Sequence, residues 1–254
     1  MIYVTGDCHG EWTRFSTKKF PEQKEMTKED FVIVCGDFGY WTPSKEQEYW
    51  MDWLEKKPFT TLFVDGNHEN FDGLYQYAPE LWRGGTVHKI RETVLHLMRG
   101  QVFELDGKRF FTFGGARSHD IQGGVLDPED PEFQRKRRAA ERRNLFYRID
   151  HQSWWREEMP SREEMEEGRR NLERHGWQVD YVISHCCRTC TQELLTDGRR
   201  EADELTEYFT EIYEKLKLRQ WFFGHYHMDG KVTGKETVLY EKICRIKCDD
   251  SARN

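Results

Sequence analysis

Phe31-Val32-Ile33-Val34-Cys35-Gly36-Asp37 is an apolar, β-branched run that stops at a glycine and an acidic residue. It reads as a strand that delivers a carboxylate to its carboxyl end. Ile2 to Val4 and Thr60 to Val64 are runs of the same kind, closed by Gly6-Asp7 and Asp65-Gly66. Between them, Glu11 to Phe20 and Pro43 to Lys56 read as helices. Strands alternating with helices predict βαβ units and a mostly parallel sheet. Ligands collect at the carboxyl ends of strands in such sheets.

Beyond Val102 the pattern changes. Val102-Phe103-Glu104-Leu105, then Asp106-Gly107, then Arg109 to Phe113 predicts a β-hairpin closed by a tight Asp-Gly turn. Tyr181 to Ile183 and Trp221 to Phe223 are short strands that each run into a histidine, and Lys231 to Lys247 reads as closing antiparallel strands. The sum is an α/β chain in four layers, α/β/β/α, with two mixed sheets face to face and helices outside. Residues 118–178 break this rhythm. They are highly charged, with predicted helices over Phe133 to Phe146 and Ser161 to His175, the second opened by a Ser161-Arg162-Glu163-Glu164 capping box. They read as a helical insertion over the site within a single domain spanning residues 1–254.

Bulk properties narrow the function classes. A net charge of −7 argues against a broad non-specific nucleic-acid footprint, because phosphate backbones attract basic surfaces. No apolar run reaches the roughly 20 residues that span a bilayer, and the chain enters a strand at once, without a secretory signal. The expectation is a cytoplasmic protein with no membrane partner. Its seven cysteines, an odd number, read as thiols rather than a disulfide framework.

The chemistry lies at the predicted strand ends. Asp7-Cys8-His9-Gly10, Gly36-Asp37, Gly66-Asn67-His68-Glu69, Ser184-His185 and Gly224-His225-Tyr226-His227 together supply two Asp, one Asn and five His. Asp7 and His9 are two residues apart, so in extended geometry both can reach one cation, and His225 and His227 repeat that relation. Asp37 can bridge two cations with its two oxygens. Imidazole, carboxylate and amide oxygen together suit Mn, Fe or Zn better than Ca or Mg. Two such cations can bind a phosphate ester and activate water against it. For any one of these residues alone, a structural strand-end His or Asp is the favoured reading.

These blocks, in this order, resemble the signature of the calcineurin-like metallophosphoesterase superfamily: Asp-x-His, Gly-Asp, Gly-Asn-His-Glu, His and Gly-His-x-His. The resemblance covers residues 7 to 227. It implies a first metal held by Asp7, His9, Asp37 and His227, and a second held by Asp37, Asn67, His185 and His225, with Mn²⁺ the leading candidate. It also implies that a hydroxide between the metals attacks phosphorus, while His68 stabilises the transition state or protonates the leaving group. Asp37 and His68 are thus the catalytic candidates.

The chain also departs from that pattern. Phosphoprotein phosphatases of the superfamily carry an Asp and an Arg shortly after Gly-Asp, where this chain has Gly39-Tyr40-Trp41. Phosphate recognition is therefore expected elsewhere. Arg117, in Gly114-Gly115-Ala116-Arg117-Ser118-His119-Asp120, is the first candidate, with His119 second and Arg14 third. A surface Arg after a turn is the competing reading. Cys187, Cys190, Cys244 and Cys248 could form a zinc site, although reduced thiols are the default. Arg135 to Arg143 could contact nucleic acid, although a solvated helix face is the simpler reading. Trp154-Trp155 beside His151 could wall a ring or simply pack. The expected substrate is a phosphorylated small molecule, a nucleotide or a phosphoprotein, with nucleic acid possible but not favoured. The alternatives to a phosphate mono- or diester hydrolase are a nuclease acting on single strands and a non-catalytic scaffold of the same fold.

Overall fold

The computed structural model describes residues 1–39 and 44–246. In chain order its strands are β1 (Ile2–Thr5), β2 (Phe31–Val34), β3 (Thr60–Phe63), β4 (Pro79–Trp82), β5 (Gly85–Arg91), β6 (Val94–Leu97), β7 (Gln101–Leu105), β8 (Lys108–Phe113), β9 (Val125–Leu126), β10 (Arg148–Ile149), β11 (Tyr181–Ser184), β12 (Gln220–Phe223), β13 (Gly230–Lys231), β14 (Glu236–Val238) and β15 (Cys244–Arg245). The α-helices are α1 (Lys45–Glu55), α2 (Phe71–Leu74), α3 (Phe133–Arg142), α4 (Arg162–Arg174), α5 (Thr189–Thr196) and α6 (Glu204–Lys215).

Among the described residues one mixed sheet runs β15-β1-β2-β3-β6-β5-β4 and the other β13-β14-β12-β11-β8-β7. Side-chain alternation along the strands stacks them into layers. Ile2, Val4, Phe31 and Ile33 from the first sheet meet Phe110, Tyr181, Ile183 and Phe222 from the second in one core. The alternate residues face outward: Tyr3, Val32 and Val34 pack under Met51 and Leu54 of α1. Phe111, Val182, Trp221 and Phe223 pack under α4 and α6, through Leu172, Leu205, Phe209 and Ile212. The result is a mixed α/β fold with helices outside two facing sheets. Each fully buried Leu, Ile or Phe in these clusters contributes about 1.5–3 kcal/mol.

Several local expectations hold. The β7–β8 hairpin turns at Asp106 and Gly107, both at positive φ, as a two-residue primed turn requires. Ser161 caps α4 through the reciprocal Ser161–Glu164 hydrogen bonds. The helix expected over Phe133 to Phe146 ends at Arg142, with Asn144 left-handed just beyond it.

Others are corrected. Glu11 to Phe20 forms a 3₁₀ turn over Trp12–Phe15, followed by a second over Pro21–Glu25. Ser16 is extended there, and Arg14 donates to the backbone carbonyls of Asp7 (2.6 Å), Gly6 (3.3 Å) and Tyr240 (2.6 Å). Tertiary anchoring of that arginine overrides helix propensity. The C-terminal strands do not form one antiparallel set: β14 runs parallel to β12, whereas β15 crosses to the first sheet and pairs with β1. Of residues 118–178, α4 lies on β7 through Gly100 and Gly168, while β9 and β10 make a separate two-stranded ribbon next to α3. No helix among the described residues is long and apolar enough to cross a membrane.

Candidate metal centre

All the chemistry-bearing blocks leave the carboxyl ends of parallel strands: β1, β2 and β3 in one sheet, β11 and β12 in the other. The glycines before them let the connecting loops cross at contact distance. A Cβ on Gly66 would stand 2.0 Å from Asp37 Oδ1, and one on Gly224 would stand 2.1 Å from Asp7 Oδ1. His9, Asp37, His225 and His227 are non-glycine residues held at positive φ. Strain of this kind, of order 1–3 kcal/mol each, persists where the surroundings over-determine a functional geometry.

The two carboxylates are aimed in the same way. Asp37 Oδ1 accepts the His68 backbone N–H (2.8 Å), and Asp7 Oδ1 accepts that of His225 (2.9 Å). This leaves each Oδ2 facing the imidazoles. Asp37 Oδ2 is 3.4 Å from His185 Nε2 and 3.7 Å from His9 Nε2. Asp7 Oδ2 is 3.2 Å from His227 Nε2 and 3.7 Å from His9 Nε2. Asp37 thus presents one oxygen to both histidine sets, rather than the two that the sequence suggested. His9 Nε2 and His227 Nε2 are 3.0 Å apart, and His185 Nε2 is 3.2 Å from Asn67 Oδ1.

This donor set fits divalent cations. The ligating atoms of Asp7, His9 and His227 lie within 4.8 Å of one another, as do those of Asp7, Asp37 and His185. Among the described residues, Asp7 Oδ2 and His225 Nε2 are buried without a hydrogen-bond partner. Orphaned buried acceptors are costly unless something absent from the chain binds them. His225 packs against His185 with ring centroids 5.0 Å apart. His185 Nδ1 donates to the Cys35 carbonyl (2.8 Å), which fixes the ring with its Nε2 edge directed at Asp37.

Electrostatics follow from burial and mutual proximity. Burial raises the Asp37 carboxyl, but His185, His68 and His9 outweigh it and hold the group well below the usual carboxylate range. Burial lowers His185, but Asp37 and Asp7 outweigh it and leave it at about 9. His68 is lowered, by burial foremost and with Asp37 opposing, so it is a neutral imidazole at pH 7. His119 is lowered to about 4 by burial and then by Arg200.

Asp37, Asn67, His68, His119, Asp120, Arg200, Tyr226, His225 and His227 line one cavity of about 190 Å³. Asp120 and Arg200 in that wall were missed from the sequence. Asp120 pairs with Arg148, with 3.3 Å between Oδ1 and Nε, and both charges act on His68. Asn67 Nδ2 donates to Ser118 Oγ (3.1 Å), whose hydroxyl reaches Glu158 Oε2 (2.5 Å), so an otherwise unremarked Ser–Glu pair orients the amide. Arg117 is not among the lining residues. Its side chain is 54% exposed, with Nε 3.7 Å from Asp203.

The other candidate signals have ordinary partners. Arg14 is the clamp described above. Cys187 contacts the Tyr226 hydroxyl in the outer core of the second sheet, whereas Cys244 lies on β15 in the first; Cys248 falls outside the described residues, as do Tyr40 and Trp41. In the basic run, Arg135 pairs with Glu132 (2.6 Å), Arg137 with Glu141 (2.9 Å) and Lys136 with Asp130. Trp155 is buried, with its Nε1 donating to Asp72 (2.7 Å), so it packs rather than walls a pocket.

Over 143 residues the chain is 31% identical to lariat debranching enzyme A of Xenopus laevis, covering 50% of this chain and 26% of that protein. Over 150 residues it is 28% identical to the lariat debranching enzyme of Danio rerio, covering 52% of this chain and 25% of that protein. The chain thus spans about a quarter of the length of these curated relatives. The sequence profile of the calcineurin-like phosphoesterases matches residues 1–229, which contain every strand-end block described above, and the chain belongs to that family.

Proposed function

We propose that this protein hydrolyses a phosphoester with two divalent cations, Mn²⁺ before Fe or Zn, held by Asp7, His9, Asp37, Asn67, His185, His225 and His227. The observation that carries the reading is the convergence of Asp7 Oδ2, Asp37 Oδ2 and the imidazole nitrogens, with Asp7 Oδ2 and His225 Nε2 buried and without a hydrogen bond among the described residues. When bound, such cations supply Lewis acidity and an activated water.

The chain's own residues supply the rest. The His68 and His225 backbone N–H groups hold both carboxylates in register, so little reorganisation is needed on binding. His68, neutral and lining the cavity, can donate a hydrogen bond to a departing oxygen. Asp120 beside it is the acidic neighbour that the Gly39-Tyr40-Trp41 loop does not provide. Ser118 and Glu158 keep the Asn67 amide oxygen turned toward His185.

Relatives named for debranching lariats favour a phosphodiester over a monoester as the first substrate to try. A nucleic-acid diester is compatible with the exposed Arg138, Arg142 and Arg143 on and after α3. The test is turnover of Mn²⁺-loaded protein on bis-p-nitrophenyl phosphate, p-nitrophenyl phosphate and a short single-stranded RNA, with His68→Ala in parallel. The reading predicts diester hydrolysis that falls at least about 10²-fold in the variant, the usual weight of a general acid. Equal rates in parent and variant across all three substrates would sink it.

A further inference from the structure

We infer that Arg200 is the residue that grips the substrate's phosphoryl group. This rests on the phosphoesterase reading above and supplies the phosphate anchor that Arg117 does not. Arg200 lines the same cavity as Asp37, His68 and His225. Its Nη1 is buried and makes no hydrogen bond among the described residues. A guanidinium has five N–H donors and stays charged, so an enclosed donor of this kind calls for an anionic acceptor that the described residues do not provide.

Asp203, a buried carboxylate on the same loop, is already committed. Asp203 Oδ1 accepts the Leu205 (3.0 Å) and Thr206 (2.9 Å) backbone N–H groups as the cap of α6, and Oδ2 faces Arg117. The guanidinium itself is held from below. It lies over the Tyr226 ring, 5.1 Å from the centroid, in a cation–π arrangement. Tyr226 is fixed in turn, because its hydroxyl donates to Gln192 Oε1 (3.1 Å) and the Gln192 amide donates to the Glu201 carbonyl (3.0 Å), next to Arg200 in the chain. One glutamine therefore ties the aromatic platform to the loop that carries the arginine. The ring belongs to the residue between His225 and His227, so the platform and the metal-ligating imidazoles share one backbone segment. A phosphoryl oxygen accepting from Arg200 would be placed beside the cation donors, and bidentate geometry suits that oxygen pair.

The experiment is calorimetric binding of inorganic phosphate to Mn²⁺-loaded protein, for the parent, Arg200→Ala and Arg200→Lys, with metal content and far-UV circular dichroism measured alongside. The expected result is phosphate binding about 10- to 100-fold weaker in Arg200→Ala, from loss of charge-assisted hydrogen bonds, at unchanged metal content. Arg200→Lys should recover only part, since an ammonium has neither the fork nor the stacking face. Hydrolysis should show the loss mainly in KM. Unchanged phosphate affinity in Arg200→Ala overturns the inference, even if the parent hydrolyses esters normally. Arg200-dependent phosphate binding in a parent that hydrolyses nothing would uphold it while refuting the catalytic reading.

Discussion

Glu158→Gln should remove a pH-dependent weakness from the fold. The Glu158 carboxyl is buried, and burial raises its pKa from 4.5 to about 7, against the opposing hydrogen bonds from Ser118. Folded protein therefore keeps this proton through a window in which the unfolded chain has already lost it. Stability from this group is fully present below pH 4.5 and is lost as pH rises through about 7. Each pH unit across the window is worth about 1.4 kcal/mol, so the full loss is roughly 3 kcal/mol at most. The assay is urea denaturation of metal-free parent and Glu158→Gln at pH 5 and pH 8. All other titrations are common to both proteins and cancel in the double difference. The parent should lose about 2–3 kcal/mol more than the variant between the two pH values. Equal pH dependence would refute the assignment of a buried, protonatable Glu158.

Other outcomes follow from the same geometry. Arg99→Met strands the buried Asp65 carboxylate, which now accepts from Arg99 Nε (2.9 Å) and Nη2 (2.5 Å) and lies 3.1 Å from His96 Nε2. The cost should be about 3–5 kcal/mol in urea denaturation, and a loss below 1 would contradict the ion-pair reading. Gly224→Ala should abolish tight metal loading, because its Cβ would stand 2.1 Å from Asp7 Oδ1; retention of full metal content would count against that packing. Metal loading at pH 7.5 should release protons, because His185 at about 9 carries one in the metal-free protein. Calorimetry in buffers of different ionisation enthalpy measures that release, and a buffer-independent heat would argue against it.

The metal candidates were legible because each block is local. A strand-forming run followed by Gly and a ligand residue needs only a few consecutive positions to be recognised, and the layer order follows from alternation along those same runs. What stayed hidden depends on contacts between distant segments. Arg200 and Asp120 look like ordinary surface charges until folding brings their loops to one cavity, and Arg148 is distinguished only by its pairing with Asp120. Arg117 had the Gly-rich context expected of a phosphate contact, but its side chain is exposed and its Nε lies near Asp203 instead. Glu158 and Ser118 are 40 residues apart, with nothing in either neighbourhood to mark the pair. The 3₁₀ turn in place of the Glu11–Phe20 helix and the sheet crossing of β15 likewise reflect tertiary anchoring, by Arg14 and by the free edge of β1.

The most direct test of the account is metal counting by mass spectrometry joined to diester hydrolysis, for the parent and Asp37→Asn. Asp37 Oδ2 faces both histidine sets, so the account predicts two cations per chain and activity in the parent, with both lost in the variant. Full metal occupancy and undiminished turnover in Asp37→Asn would contradict it.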